Sequence, residues 1–213
     1  MPKSIARDDA AAFVCDLLQS KPKMRREDLS ARNVAKALGQ TTGFLYHHWG
    51  SFDDFLFEVS GLGWGRLVES VEKAYAKSGE ASSIVRAYVA FAAKNPVLYW
   101  LIAERELPAD VVKKTLTKGI ALPSYTAWVR FFELVSKADP GVTLAKARAM
   151  HAAAHGLASQ LLSGRISSMP DAVQRSAAAI SADVEDAITA GMFGASSPSR
   201  QKTTSRSPKA SRR

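Results

Sequence analysis

The sequence has very little cysteine and no long unbroken apolar run. Its one cysteine, Cys15, excludes an internal disulfide and any metal site built from several cysteines. Because Cys15 falls in an apolar helical pattern, we expect a buried, inert thiol. The longest apolar stretch, residues 84–103, is interrupted by two basic residues and by Asn95-Pro96, so it is too broken for a membrane span. The first nine residues lack the apolar core of a signal peptide. We therefore expect a cytoplasmic protein with no membrane partner.

The net charge of +9 is unevenly distributed along the chain. The segment 196–213 carries six lysines and arginines and no acidic residue, and the rest of the chain has 23 basic and 20 acidic side chains. Residues 1–60 contain eight of each sign, so net charge alone does not indicate where a nucleic acid would bind. The Ser-, Lys- and Arg-rich composition of 196–213 predicts a disordered basic tail.

Apolar residues recur at helical spacing along nearly the whole chain, and no β-rich run stands out. A first helix is marked by the stripe of Ala10, Val14 and Leu18, and Ser51 has the character of an N-cap for a helix over 51–78. Later apolar patterns predict further helices over 82–93, 96–106, 125–137, 143–164 and 170–192. The predicted fold class is therefore all-α.

The segment 29–56 has the features of a helix-turn-helix. Ser30 caps its first helix, and Gly39 permits the left-handed conformation that the turn needs. Leu45 and Trp49 face inward at i, i+4 spacing. The residues left on or near a polar and aromatic outward face are Thr41, Thr42, Phe44, Tyr46, His47 and His48. Because few carboxylates lie on this face, it suits contact with a DNA groove.

This segment resembles the DNA-binding domain of the tetracycline-repressor (TetR) family. VAKALG at 34–39, LYHHW at 45–49 and the capped helix start at 51–56 have the family's residues and spacing. The family often has a lysine where this chain has Phe52, but the N-terminus of the helix can itself bind a phosphate. The resemblance implies contacts to the bases and phosphates of double-stranded DNA by Arg32, Thr42, Phe44, Tyr46, His47 and His48.

Two later segments resemble one subclass of TetR effector domain, which is marked by a Trp-His-Gly motif. They are NPVLYWLIAERELP at 95–108 and AAAHGLASQLLSGRI at 152–166. His155-Gly156 is kept here, and Ala154 stands in place of the tryptophan. This resemblance implies a ligand-binding domain and a homodimer, without naming the ligand.

Aromatic residues and histidines in this second region are candidates for a small-molecule site, with ordinary core packing as the alternative for each. His151 and His155 lie at i, i+4, a spacing that can bind a metal, but no nearby carboxylate or cysteine joins them, so a core or pocket role is favoured. The charge run 104–106 is interpreted as solvated. The predicted pocket residues are Tyr99, Trp100, Trp128, Phe132, His151 and His155.

The sequence therefore predicts three parts: a helix-turn-helix head over 1–50, a helical-bundle effector and dimerisation domain over 51–195 with helix 51–78 as connector, and a tail over 196–213. We expect a homodimeric, ligand-responsive regulator, a repressor released from a palindromic operator by a small molecule. No Gly-rich phosphate loop or carboxylate pair is visible, so no cofactor, metal or enzymatic activity is expected. Helices 143–164 and 172–192 would pack against their copies through Ala147, Ala154, Ala158, Ala177, Ala187 and Ile188.

Two alternatives stay open at this stage. A DNA-organising protein would bind mainly through the basic tail, whose Ser-Pro elements resemble segments that lie along DNA. An enzyme would have to use His151 and His155, which form the only candidate constellation.

Overall fold

The computed structural model describes residues 5–20, 25–168 and 175–194. Within these ranges the secondary structure is helical throughout and includes no strand, so the predicted all-α class is confirmed. The predicted tail lies outside the described residues. The α-helices are α1 Arg7–Ser20, α2 Ala31–Ala37, α3 Thr42–Trp49, α4 Phe52–Ser78, α5 Ser82–Lys94, α6 Pro96–Tyr99, α7 Ala109–Thr117, α8 Pro123–Ala138, α9 Leu144–Leu162 and α10 Ala177–Phe193.

Helices α1 to α3 form the head, and its turns follow local sequence signals. The Ser30 hydroxyl accepts a hydrogen bond from the Asn33 backbone N–H at 3.3 Å, which caps α2. Gly39 and Gly50 have φ values of 67° and 79°, which a residue with a side chain rarely adopts, so each can end a helix sharply. The inward face of this small unit is fully buried and includes Leu45.

Helix α4 runs from the head into the body and belongs to a hydrophobic core that is continuous between them. Ser51 caps it by accepting from the Asp54 N–H at 3.0 Å. Phe55 near its start and Leu67, about three turns further on, are both buried in this core. At Gly63 a Cβ atom would lie 2.7 Å from Ile102 and 2.9 Å from Leu98. Helix α4 therefore comes unusually close to α6 and to the segment that follows it.

The body differs from the predicted helices in three places. Helix α6 has only one turn before the chain widens into a π-helical segment, Trp100–Glu104. Helix α7, which lies between Pro108 and Pro123 and buries Val111 and Thr115, is not among the predicted helices. The last helix starts at Ala177 rather than at 170, because Ser176 caps it by accepting from the Ala179 N–H.

The faces proposed for dimerisation need a correction. Ala147, Ala154 and Ala158 are buried in the chain's own core and are not available to a second copy. Alanines lie on both sides of α9, so their spacing did not reveal which side is internal. Ile188 is partly covered by the chain's own core, whereas Ala187 is exposed.

No helix among the described residues is both long enough and apolar enough to cross a lipid bilayer.

Candidate functional site

The outward face of α3 is polar and accessible. Tyr46 is 50% exposed, and its neighbours His47 and His48 are exposed as well. Thr41 and Thr42 are exposed at the start of the same helix, and the predicted contact residue of α2, Arg32, is also exposed. The ring of His48 lies 4.9 Å from that of His47, so the two histidines share the C-terminal end of α3.

Phe44 differs from the other predicted contact residues. It is half-buried and packs against the head core, with its ring centre 4.6 Å from His48 and 6.0 Å from Trp49. Phe44 therefore lies near the outward face, at its border with the core. Because Phe44 and His48 are four residues apart on one helix, the half-buried ring packs beneath the exposed imidazole.

The Trp49 side chain of α3 contacts residues of two other helices, α1 and α4. Its indole N–H donates to the Glu58 carboxylate at 2.7 Å, and the Arg7 guanidinium lies 5.1 Å above the indole ring. Arg7 also approaches Glu58 at 3.7 Å. Sequence reasoning found Trp49 but missed Arg7 and Glu58, because three residues from separate helices meet here only after folding.

The start of α4 is held by residues of the body. Asp53 pairs with Arg105, and Asp54 accepts from the Lys114 ammonium at 2.9 Å as well as from the Ser51 hydroxyl at 2.8 Å. Partial burial alone would raise the pKa of Asp54, but the hydrogen bonds from Lys114 and Ser51 outweigh it and hold the pKa below its usual value. Asp54 is thus a fixed anion beside the end of α3.

A second body contact reaches the chain between α1 and α2. The Arg26 guanidinium donates to Glu104 at 3.0 Å and lies 5.5 Å from the centre of the Trp100 ring. Glu104 also accepts from the Ser159 hydroxyl of α9 at 2.7 Å. The side chains of Glu104 and Arg105 are only 20% and 16% exposed, so the interpretation of 104–106 as a solvated charge run was wrong for both.

A cavity of about 350 Å³ lies inside the body. Of the six predicted pocket residues, Trp128 and His151 line it. Trp100 packs against Arg26 instead, and Tyr99 is buried behind the cavity wall. Phe132 and His155 are not part of the lining. The complete lining is Trp64, Leu67, Val68, Val71, Tyr88, Ala103, Ser124, Ala127, Trp128, Phe131 and His151.

The α4 wall of this cavity was missed because its side chains have the ordinary pattern of a core-facing helix. Leu67, Val68 and Val71 repeat at i, i+1 and i+4, which indicates burial but not what the face is buried against. Tyr88 was missed for the same reason, since it falls in the apolar face of α5.

A chain of hydrogen-bonding side chains runs from the cavity wall into the body. The Tyr88 hydroxyl lies 3.4 Å from His151 Nε2 and accepts from the Tyr99 hydroxyl at 3.3 Å. The Tyr99 oxygen in turn lies 2.6 Å from His155 Nδ1. Burial lowers the pKa of His151 to about 4, with a smaller contribution from His155, and burial raises the pKa of Tyr88 to about 12. Both cavity residues are therefore uncharged at pH 7.

The same contacts bear on the metal alternative. His151 and His155 stack with ring centres 6.5 Å apart, and a nitrogen of each faces a tyrosine hydroxyl. In the part of the chain that the structure describes, no group of three histidine, cysteine, aspartate or glutamate side chains could hold a metal ion together.

Comparison with known families agrees with this architecture. Residues 82–184, which extend from α5 into α10, match the family model described as "Tetracyclin repressor-like, C-terminal domain". Together with the capped helix-turn-helix at its N-terminal side, this match supports a transcriptional regulator of the TetR type. No curated protein matches the sequence.

Solved structures with this fold are distant in sequence. A protein of unknown function from Rhodococcus sp. RHA1 has 18% identity and a TM-score of 0.59, covering 86% of this chain and 95% of that one. A candidate regulatory protein, SCO4313, has 15% identity and a TM-score of 0.57, covering 86% and 98%. The TetR family transcriptional regulator PfmR from Thermus thermophilus has 20% identity and a TM-score of 0.48, covering 84% and 96%. At these identities the first two likenesses show the fold alone, and we draw nothing from the third.

Proposed function

We propose that this regulator is a cytoplasmic, non-enzymatic repressor that binds a palindromic operator as a homodimer and releases it when a small molecule occupies the body cavity. The observation that carries the proposal is the position of three consecutive residues. Ala103 lines the cavity, Glu104 binds Arg26 of the head, and Arg105 binds Asp53 at the start of α4. A movement of this segment would therefore change its contact with Arg26 in the head and its contact with Asp53 at the start of α4 together.

The DNA-binding step is assigned to α3 and the adjoining residues. Thr42 and His47 are exposed and are assigned to base edges, and the exposed Tyr46 and His48 are assigned to hydrogen bonds with phosphates. Arg32 on α2 supplies an exposed cation for the DNA backbone, and the exposed Thr41 adds a hydroxyl at the start of α3. In place of the lysine that is frequent in the family, Phe52 is half-buried and stacks on Phe55, so no cation contacts a phosphate there.

The dimer step needs an accessible surface on the last two helices. With the inward alanines of α9 excluded, the exposed side of that helix offers Ala145, Ala149 and Ala152, and α10 offers Ala187. Small side chains allow two helices to approach closely, and a two-fold dimer would present its heads to half-sites about 34–36 Å apart.

The release step follows from differential binding. A ligand that fits the cavity only when the 103–105 segment moves would favour an arrangement in which the two head contacts are lost. The arrangement that keeps both contacts is assigned to the operator-binding form of a repressor.

The test compares two neighbouring glutamates. Glu104→Ala removes the partner of Arg26, and we expect operator affinity to fall about fivefold, which is about 1 kcal/mol for a partly exposed pair. Glu106→Ala is the matched control, because Glu106 is exposed. The measurement is a fluorescence-anisotropy titration on an operator selected from random duplexes by the full chain. Equal affinities for the two variants would refute the coupling.

A further inference from the structure

The walls of the body cavity are aromatic. Trp64 of α4 and two rings of α8, Trp128 and Phe131, line it together with aliphatic side chains. The Trp128 and Phe131 rings have centres 5.9 Å apart and are tilted by only 30°. A volume of about 350 Å³ lies at the small end of the range of about 300–1,000 Å³ usual for ligand pockets. These walls and this volume fit a flat molecule of two or three rings.

No side chain that lines the cavity carries a charge at neutral pH. The lining contains no lysine, arginine, aspartate or glutamate. Its one titratable base, His151, packs against Tyr88, Trp128 and Phe131 and has His155 as its neighbour on α9. A carboxylate or an ammonium group would therefore enter without a counter-ion, at a large desolvation cost.

Counting hydrogens at the Tyr88 hydroxyl shows what kind of polar group it can receive. A tyrosine hydroxyl has one hydrogen and two acceptor sites. When Tyr99 donates to Tyr88, Tyr88 donates to His151 Nε2; when the chain runs the other way, His151 donates to Tyr88, and Tyr88 donates to Tyr99. Either direction uses the hydrogen of Tyr88 and leaves one acceptor site. The complementary ligand group is a donor, such as a hydroxyl.

We propose that the cavity binds an uncharged, phenol-type aromatic compound whose hydroxyl donates to Tyr88. This inference rests on the proposed function, because it names the class of effector for the same cavity. The aromatic walls hold the ring system, and the Tyr88–His151 contact marks the wall at which the hydroxyl sits.

The experiment measures binding of four compounds with one ring system to the full chain at pH 7 by equilibrium dialysis. We expect 2-naphthol to bind about five- to tenfold more tightly than naphthalene, which lacks the donor. The methyl ether 2-methoxynaphthalene keeps the oxygen but has no hydrogen to donate, so it should show no advantage. The anion 2-naphthoate should bind at least about a hundredfold more weakly than 2-naphthol.

A protein variant locates the donor contact. Tyr88→Phe should remove the preference for 2-naphthol over naphthalene while naphthalene binding is kept, which also shows that the cavity is intact. Tyr125→Phe is the matched control, since Tyr125 is exposed on α8 and does not line the cavity. If Tyr88→Phe does not fold, the comparison of 2-naphthol with its methyl ether on the native chain tests whether the ligand must donate a hydrogen bond.

The outcomes separate this inference from the proposed function. Tight binding of 2-naphthoate, equal binding of 2-naphthol and its ether, or no binding by any of the four compounds would overturn the ligand class. Specific operator binding in the same preparation would still support the DNA-binding part of the proposed function. Binding of 2-naphthol with the expected preference but no loss of operator affinity would support the ligand class and overturn release.

Discussion

Histidine and tyrosine side chains have opposite settings in the two regions of this molecule. In the head, Tyr46 and His47 are exposed on α3 and available to a large partner. In the body, Tyr88 and His151 line an internal cavity and contact each other at 3.4 Å. The same two residue types therefore suit different tasks, because an exposed ring can approach a DNA groove whereas an enclosed ring contacts a small molecule.

The burial of His151 predicts a pH dependence of folding stability. Because burial lowers the pKa of His151 to about 4 from 6.5, the unfolded chain takes up this proton at a higher pH than the folded chain. The contribution of neutral His151 to folding stability should therefore be fully present above pH 6.5 and should be lost as the pH decreases from 6.5 to 4. The loss should reach about 3 kcal/mol at most.

Urea denaturation at several pH values measures this dependence. His151→Asn should flatten the curve between pH 4 and 6.5. An unchanged slope in the His151 variant would contradict the assignment of this pH dependence to His151.

Helix α4 joins the two regions, and two of its glycines sharpen the comparison. Gly63→Ala should destabilise the fold by about 1–3 kcal/mol, because the new methyl group would lie within 3 Å of Ile102 and Leu98. Gly65→Ala is the matched control in the same helix, since nothing lies within 4 Å of its Cβ position, and it should stabilise the helix by about 0.5–1 kcal/mol. Thermal unfolding of both variants measures the difference in stability. Changes in stability of the same sign in the two variants would contradict the close approach of α4 to Leu98 and Ile102.

How far the sequence predicts the structure also differs between the two regions. In the head, Ser30, Gly39 and Gly50 carry their signals within a few residues, so the caps and turns could be predicted locally. The partial burial of Phe44 could not, because an aromatic residue on a short helix fits either face. The resemblance to the TetR DNA-binding domain was visible because its motif is continuous in the sequence.

In the body, the informative contacts join distant parts of the chain. Arg26 and Glu104 are 78 residues apart, and Tyr99 and His155 are 56 apart. The apolar pattern of α9 predicted a helix but not which of its alanine faces is internal. The cavity was predicted at Trp128 and His151 but not along α4, because burial in a core and burial beside a cavity require the same side chains.

The central claim is that α3 reads the DNA sequence. The most direct measurement is a titration of the selected operator and a scrambled duplex at several salt concentrations with three proteins: the native chain, a Thr42→Ala/His47→Ala variant, and a chain ending before Ser196. We predict that the α3 variant loses roughly 1–3 kcal/mol per base contact on the operator, with relaxed selectivity. The truncated chain should lose affinity for both duplexes alike, with a weaker salt dependence, because it lacks six cations. Unchanged operator affinity and selectivity in the α3 variant, together with loss of all binding in the truncated chain, would contradict the account and favour binding through the basic segment.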